Sequence, residues 1–251
     1  MNVSLFQAAS ALTANSRWQE IIADNMASAS IPGFKKQQLS IAATQAGLMP
    51  AGGAGGKNGV ASFVMPKASA TTNFTSGEMK ATGVSTDVAI DGSAFFQVQL
   101  PTGQIGYTRD GEFQLNSQGQ LTTKEGYPVL GESGGPITLN PRDPSPMTIS
   151  VGGDVSQGAS PKGKLGLVQF DNPSLLTQSS SGYFVSQNPA LHTQPTTSTV
   201  RQGYVEGSNS STVLEMANLM TAMRGFEANQ HVIQIQDDRM SKAITELGSP
   251  T

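Results

Sequence analysis

The chain has no cysteine, which removes disulfides, thiolate metal sites and cysteine nucleophiles together and leaves the redox compartment open. Charge is scarce as well. Only 13% of the 251 residues are charged and the net charge is −3, so no field recruits nucleic acid or acidic lipid. Aromatics make up 6%, against 28 glycines and 14 prolines, which predicts many turns and surfaces filled by Ser, Thr, Gln and Asn. No run approaches the ~18 apolar residues of a membrane span, so no membrane insertion is expected. The first twenty residues have neither a basic stretch nor a continuous apolar one, so no cleavable secretory signal is read there. Export would need a route that leaves this N-terminus uncleaved. The two histidines stand far apart and supply no metal-ligand spacing.

What is present begins with helical periodicity. Leu5, Ala8, Leu12, Trp18, Ile22 and Met26 recur at three-, four- and six-residue steps, forming one apolar stripe. Ser4 and Gln7 match a capping box and Pro32-Gly33 supplies a stop, so a helix is expected from about Ser4 to Ala29. Near the other end Leu219, Phe226, Ile233, Met240 and Leu247 keep an unbroken spacing of seven, with Met216, Met223 and Ile244 in the companion position. Thr212 and Glu215 match a second capping box; Gly248 and Pro250 follow the last apolar residue. Gln230 and Asp237 fall in the companion line, where they either fix register or mark a solvated flank. Burying five seam residues would contribute about 8–15 kcal/mol, but a lone helix has nothing to bury them against. The N-terminal helix is shorter than the C-terminal one, which leaves apolar surface for other copies.

Between the helices, Gly47 to Gly59 holds six glycines and reads as a linker. From about Phe74 to Val205 short alternating runs lie between turns. Strands are expected at Phe96–Leu100, Tyr107–Arg109, Glu112–Leu115, Pro136–Leu139, Leu165–Phe170 and Gly182–Val185, with Asp110-Gly111 as a hairpin turn. Further turns are expected at Asn116–Gly119, Gly126 and Gly131–Pro136. The expected class is α+β: terminal helices packed as a coiled-coil-like domain (1–35 and 208–251), a glycine-rich extended linker (36–73) and a central antiparallel β-rich domain (74–207).

No catalytic or cofactor-binding set emerges. The glycine-rich stretch lacks the P-loop pattern, because Ala51 stands at the first Gly and Asn58 follows Gly56-Lys57. Gly131-Glu132-Ser133-Gly134-Gly135 matches G-x-S-x-G in letters, but a strand follows where the nucleophile elbow needs a helix. Neither His192 nor His231 is marked as a base. Asp87 and Asp91 flank a strand without a calcium-loop pattern. Trp18 reads as an anchor at a helix contact.

The two ends and the middle together resemble one family. Ala23-Asp24-Asn25-Met26-Ala27-Ser28 followed by Pro32-Gly33-Phe34-Lys35 is similar to the N-terminal signature of flagellar rod and hook proteins. Asp87 to Gly92, Phe95-Phe96, Tyr107 to Gly111, Phe113 and Gly119-Gln120-Leu121 resemble that family's β-domain core. Gly203 to Asn209, Glu215-Met216, Arg224 and Phe226-Glu227 resemble its closing helix. The resemblance implies an axial structural subunit of the bacterial basal body, non-enzymatic and without cofactor. It also implies export through the flagellar apparatus and assembly with copies of itself and other rod subunits into a periplasm-spanning shaft. Length and a single compact middle are more similar to the proximal-rod member, with the distal-rod member close behind. Under this resemblance Asn25, Gly33 and Phe34 set the exit angle from the first helix, unless they only end it. The alternatives are an exported β-rich adhesin trimerised by its coiled coil, and an esterase built on Ser133.

Overall fold

The computed structural model describes residues 3–50, 60–180, 182–186, 191–194 and 196–248. The chain divides into two units, one of residues 1–26, 37–71 and 212–251, the other of residues 27–36 and 72–211. The class is α+β, with a helix at each end and antiparallel strands between.

The first unit holds α1 (Val3–Ala27), β1 (Gln37–Pro50) and β2 (Val60–Thr72), and it also contains the C-terminal helix. α1 is already running at Val3, so Ser4 lies inside it rather than capping it, and it ends two residues before Ala29. Among its described side chains Ala8, Ala14, Ile21, Ile22 and Asn25 are buried. β1 and β2 form a two-stranded sheet. Thr71 Oγ1 donates to the Gln38 carbonyl and Ser69 Oγ to that of Ser40, a constant sum that makes the pair antiparallel. The extended segment 36–73 thus has two arms that pair. Gly47 to Pro50, read as linker, belong to β1, and residues 51–59 lie outside the described residues.

The second unit is a stack of small antiparallel sheets. Its strands are β3 (Met79–Ala81), β4 (Val88–Asp91), β5 (Phe95–Gln99), β6 (Ile105–Thr108), β7 (Gln114–Leu115), β8 (Leu121–Thr122) and β9 (Met147–Ile149). They continue as β10 (Asp154–Gln157), β11 (Ser160–Lys164), β12 (Leu167–Phe170), β13 (Thr177–Ser180), β14 (Tyr183–Val185), β15 (Thr193–Gln194), β16 (Thr199–Gln202) and β17 (Tyr204–Glu206). The largest sheet has the order β13-β14-β6-β5-β12-β15, and β11-β10-β9, β16-β4, β17-β3 and β7-β8 complete the set. Successive side chains of a strand point to opposite faces, so Phe95 and Phe96 serve different cores. Phe96 joins Val88, Ile90, Val98, Phe113, Leu121, Val129, Leu165 and Val200 in the main cluster, while Phe95 packs with Phe170, Leu176 and Phe184.

Two strand expectations are corrected. Asp110-Gly111 closes no hairpin, because β6 pairs with β5 and β14, and β7 pairs with β8 across the Asn116–Gly119 turn. Gly111 answers a packing need instead: a Cβ there would lie 1.7 Å from the Val88 carbonyl oxygen, and that close backbone carries the Val88 N–H to Gly111 O bond. Pro136–Leu139 forms isolated bridges to Leu130 and Gln120 rather than a strand, since the Pro136 nitrogen has no hydrogen to donate.

α2 (Thr212–Gly248) spans 37 residues, about 55 Å at 1.5 Å per residue. It begins at Thr212 itself, so that residue is inside the first turn.

Candidate functional site

Three of the sequence motifs converge inside the second unit. Residues 28–36 leave α1 through a turn in which Ile31 N–H donates to Ser28 O, and Gly33 takes a left-handed φ of +67°. That conformation lays Gly33 flat on the Arg109–Asp110 backbone, where a Cβ would come within 2.2 Å of the Arg109 carbonyl carbon. Its N–H donates to the Glu206 carbonyl at 2.7 Å. Phe34 and Lys35 are then carried into the interior at 2% and 0% exposure.

Lys35 meets Arg109, which follows β6, and Glu206, which ends β17. All three are essentially buried. Glu206 Oε1 accepts from Lys35 Nζ at 2.5 Å and from the Gly77 N–H at 2.9 Å, and its Oε2 accepts from Arg109 Nη1 at 3.2 Å. Lys35 also donates to the Thr75 carbonyl, and Arg109 Nη2 to that of Gly92. The Arg109 guanidinium stands 5.0 Å from the centre of the Phe95 ring, a cation–π distance. Glu206 is the one carboxylate between the Lys35 and Arg109 nitrogens; backbone carbonyls and an aromatic face take further contacts, and Arg109 Nε is buried without a hydrogen-bond partner. Burial draws Lys35 below its ordinary value, against the opposing pull of Glu206.

Asn209 fastens the same segments by hydrogen bonding. Its Oδ1 accepts the Lys36 N–H at 2.7 Å, its Nδ2 donates to the carbonyls of Asn73 and Thr75, and its N–H donates to Phe34 O. Within the second unit this one side chain thus ties the 208–211 segment to residue 36 and to residues 73–75. Within the first unit Asn25, only 2% exposed, exchanges two hydrogen bonds with the backbone of Gln37.

The residues expected at a helix interface fall into two groups. Ile22 is buried, and Leu12, Trp18, Met26, Leu219, Phe226 and Ile233 are half-buried. Met216, Met223, Met240 and Ile244 are exposed. The side chains of Leu5 and Leu247 lie outside the described residues. The covered stripe of α2 runs through Glu215, Leu219, Ala222, Phe226, Asn229 and Ile233, at steps of three and four. Met216 and Met223 stand one residue past that stripe, about 100° further round the helix. Among its described residues only Glu215 and Ala222 are fully buried, whereas Val213, Leu214, Met220, Val232 and Ile235 join the exposed set.

Lys35, Arg109, Glu206 and Asn209 appeared in the sequence only as letters of longer motifs. Their signal is a charge or amide set between glycines and large apolar residues, in a chain with little charge to spare. Ser133 sits in a tight loop closed by Gly134 N–H to Gly131 O, with no helix after it.

The second unit is fastened by buried polar contacts, and α2 of the first carries a row of exposed apolar side chains. Residues 89–157 match the model of the flagellar hook protein FlgE/F/G D1 domain, and residues 201–246 match that of the flagellar basal body rod FlgEFG protein C-terminal region. The chain is 36% identical over 229 residues to the flagellar basal-body rod protein FlgF of Caulobacter vibrioides, covering 91% of each chain. It is 34% identical over 253 residues to FlgF of Mesorhizobium japonicum, covering 99% of each. It is also 34% identical over 264 residues to the rod protein FlgG of Buchnera aphidicola subsp. Acyrthosiphon pisum, covering 95% of this chain and 97% of that one. The chain belongs to the flagellar basal-body rod protein family, a family of structural proteins and not of enzymes. The adhesin and esterase alternatives fall with that assignment.

Proposed function

We propose that this protein is a structural subunit of the bacterial flagellar basal-body rod, polymerising through its terminal helices with copies of itself and with other rod subunits. The observation that carries this reading is α2: a helix of 37 residues with only two fully buried side chains among those described, and a row of exposed Met, Leu, Val and Ile. Apolar surface of that extent is stabilised when a neighbouring helix covers it. Leu219, Phe226 and Ile233 begin the contact within the subunit; Met216, Met223, Met240 and Ile244 complete it between subunits. The β-rich unit forms the outer layer. Within the family we assign the chain to the proximal rod, on its length and single compact middle, with the distal rod as the second reading. The subunit reaches its periplasm-spanning position through the flagellar export apparatus.

A charge in the seam tests the reading. Phe226→Glu should block incorporation into the rod, measured by recovery in purified basal bodies, while the tyrosine near-UV signal of the β unit stays native. Incorporation at wild-type levels would sink the proposal.

A further inference from the structure

Lys35 is a buried lysine whose donors and acceptors do not match its charged form. Its side chain has no exposed surface, and its Nζ reaches two acceptors, Glu206 Oε1 at 2.5 Å and the Thr75 carbonyl at 2.9 Å. An ammonium carries three N–H donors, whereas a neutral amine carries two. The site therefore supplies as many acceptors as the neutral amine uses, and the third N–H of an ammonium would be buried without a partner. Charge balance points the same way. The ionisable groups that face Lys35 are Glu206 at the end of β17 and Arg109 after β6; the 73–78 segment contributes only the Thr75 carbonyl. With Lys35 charged, two cations share one carboxylate. With Lys35 neutral, Arg109 and Glu206 balance.

We propose that the Lys35–Glu206–Arg109 cluster is a proton-operated latch: Lys35 as a neutral amine fastens residues 31–36 to the β unit, and proton uptake loosens that fastening. The segment it holds is the one by which the chain leaves α1, and holding it brings the Gly33 and Lys36 N–H groups onto Glu206 O and Asn209 Oδ1. The use of such a latch, though not its chemistry, rests on the assembly reading.

The sign follows from linkage. An opened segment returns Lys35 to water and to its ordinary value of 10.5, while the closed site binds the proton more weakly. Between the two values the unfastened form takes up more protons, so opening grows by up to tenfold for each pH unit lowered, and it levels off below the closed-site value.

The test uses the full-length soluble subunit with isotope-labelled lysine, followed by NMR from pH 6 to 11, the Lys35 signal being identified by its loss in Lys35→Met. Lys35 should titrate below the other lysines. Amide exchange at Gly33 and Lys36, corrected for the intrinsic pH dependence, should lose protection by up to tenfold per pH unit lowered, and the dependence should vanish in Lys35→Met, whose unbranched stem fills the same space. A Lys35 that titrates with the other lysines overturns the latch, as does wild-type protection that ignores pH. Should Lys35→Met fail to fold, sequential assignment of the wild-type signal decides by the same two criteria. These readings come from the soluble subunit, so failure to join a rod would count against the assembly reading alone.

Discussion

At the scale of single residues, Gly33 and Asp110 lie back to back and make opposite demands. Gly33 combines a φ of +67° with a backbone contact that leaves no room for a Cβ, so a side chain there meets strain and collision together. Strain at such a position costs about 1–3 kcal/mol before any collision is added. Gly33→Ala should destabilise the β unit by roughly 2–4 kcal/mol in urea unfolding; a loss under about 1 kcal/mol would show that the turn is not held against Arg109. Asp110 is pushed up to about 6 from 3.8, first by burial, with the Glu112 and Glu125 carboxylates adding and Lys124 and the Glu112 N–H opposing. A carboxyl raised on folding contributes stability that is full below 3.8 and is lost as the pH rises through about 6. The loss amounts to about 2–3 kcal/mol. Asp110→Asn keeps the Oδ1 acceptor for the Glu112 N–H and carries no charge to bury. Its urea midpoint should stay flat between pH 4 and 7 and exceed the wild-type midpoint at pH 7. An unchanged slope would place the titration elsewhere.

At the scale of elements, patterns with a long period were legible and those set by backbone contact were not. The seven-residue spacing from Leu219 announced α2 over its length, because a helix repeats its faces regardless of what covers them. The same spacing could not say which flank is covered inside one subunit. The stripe through Glu215 and Ala222 is covered, and Met216 and Met223, one step round, are left outside. Short runs of β-forming residues between turns found β5, β12 and β14 to within two residues, although β5 and β14 bury both faces, one in each core. Asp110-Gly111 misled because a glycine chosen for close approach to Val88 carries the same letters as a glycine chosen for a hairpin. β1 and β2 were hidden by the glycines between them, whose composition dominated the reading of flanks that alternate half-buried Leu39 with exposed Gln38 and Ser40. Of the candidate site, the motifs were visible but their meeting point was not. Lys35 and Glu206 are 171 positions apart, and nothing local to either predicts the other.

At the scale of the whole molecule, the two units differ in what holds them. The second has a main core of eighteen buried residues among those described and a separate, mostly aromatic cluster, so it is stabilised from within. The first depends on α2, and a lone helix draws little stability from its own hydrogen bonds when its apolar face is uncovered. The soluble subunit should therefore unfold in two steps, with the helices melting first. The chain separates the reporters. Its single tryptophan, Trp18, lies in α1, and its four tyrosines, Tyr107, Tyr127, Tyr183 and Tyr204, all lie in the second unit. In urea, Trp18 fluorescence and the helical far-UV signal should change at lower concentration than the tyrosine near-UV signal. In assembled rods the tryptophan transition should move to higher urea, because a neighbour that binds only the folded helix stabilises it by mass action. Coincident transitions in the soluble subunit would mean that α2 already has the cover it needs, and the uncovered face would lose its role in driving assembly.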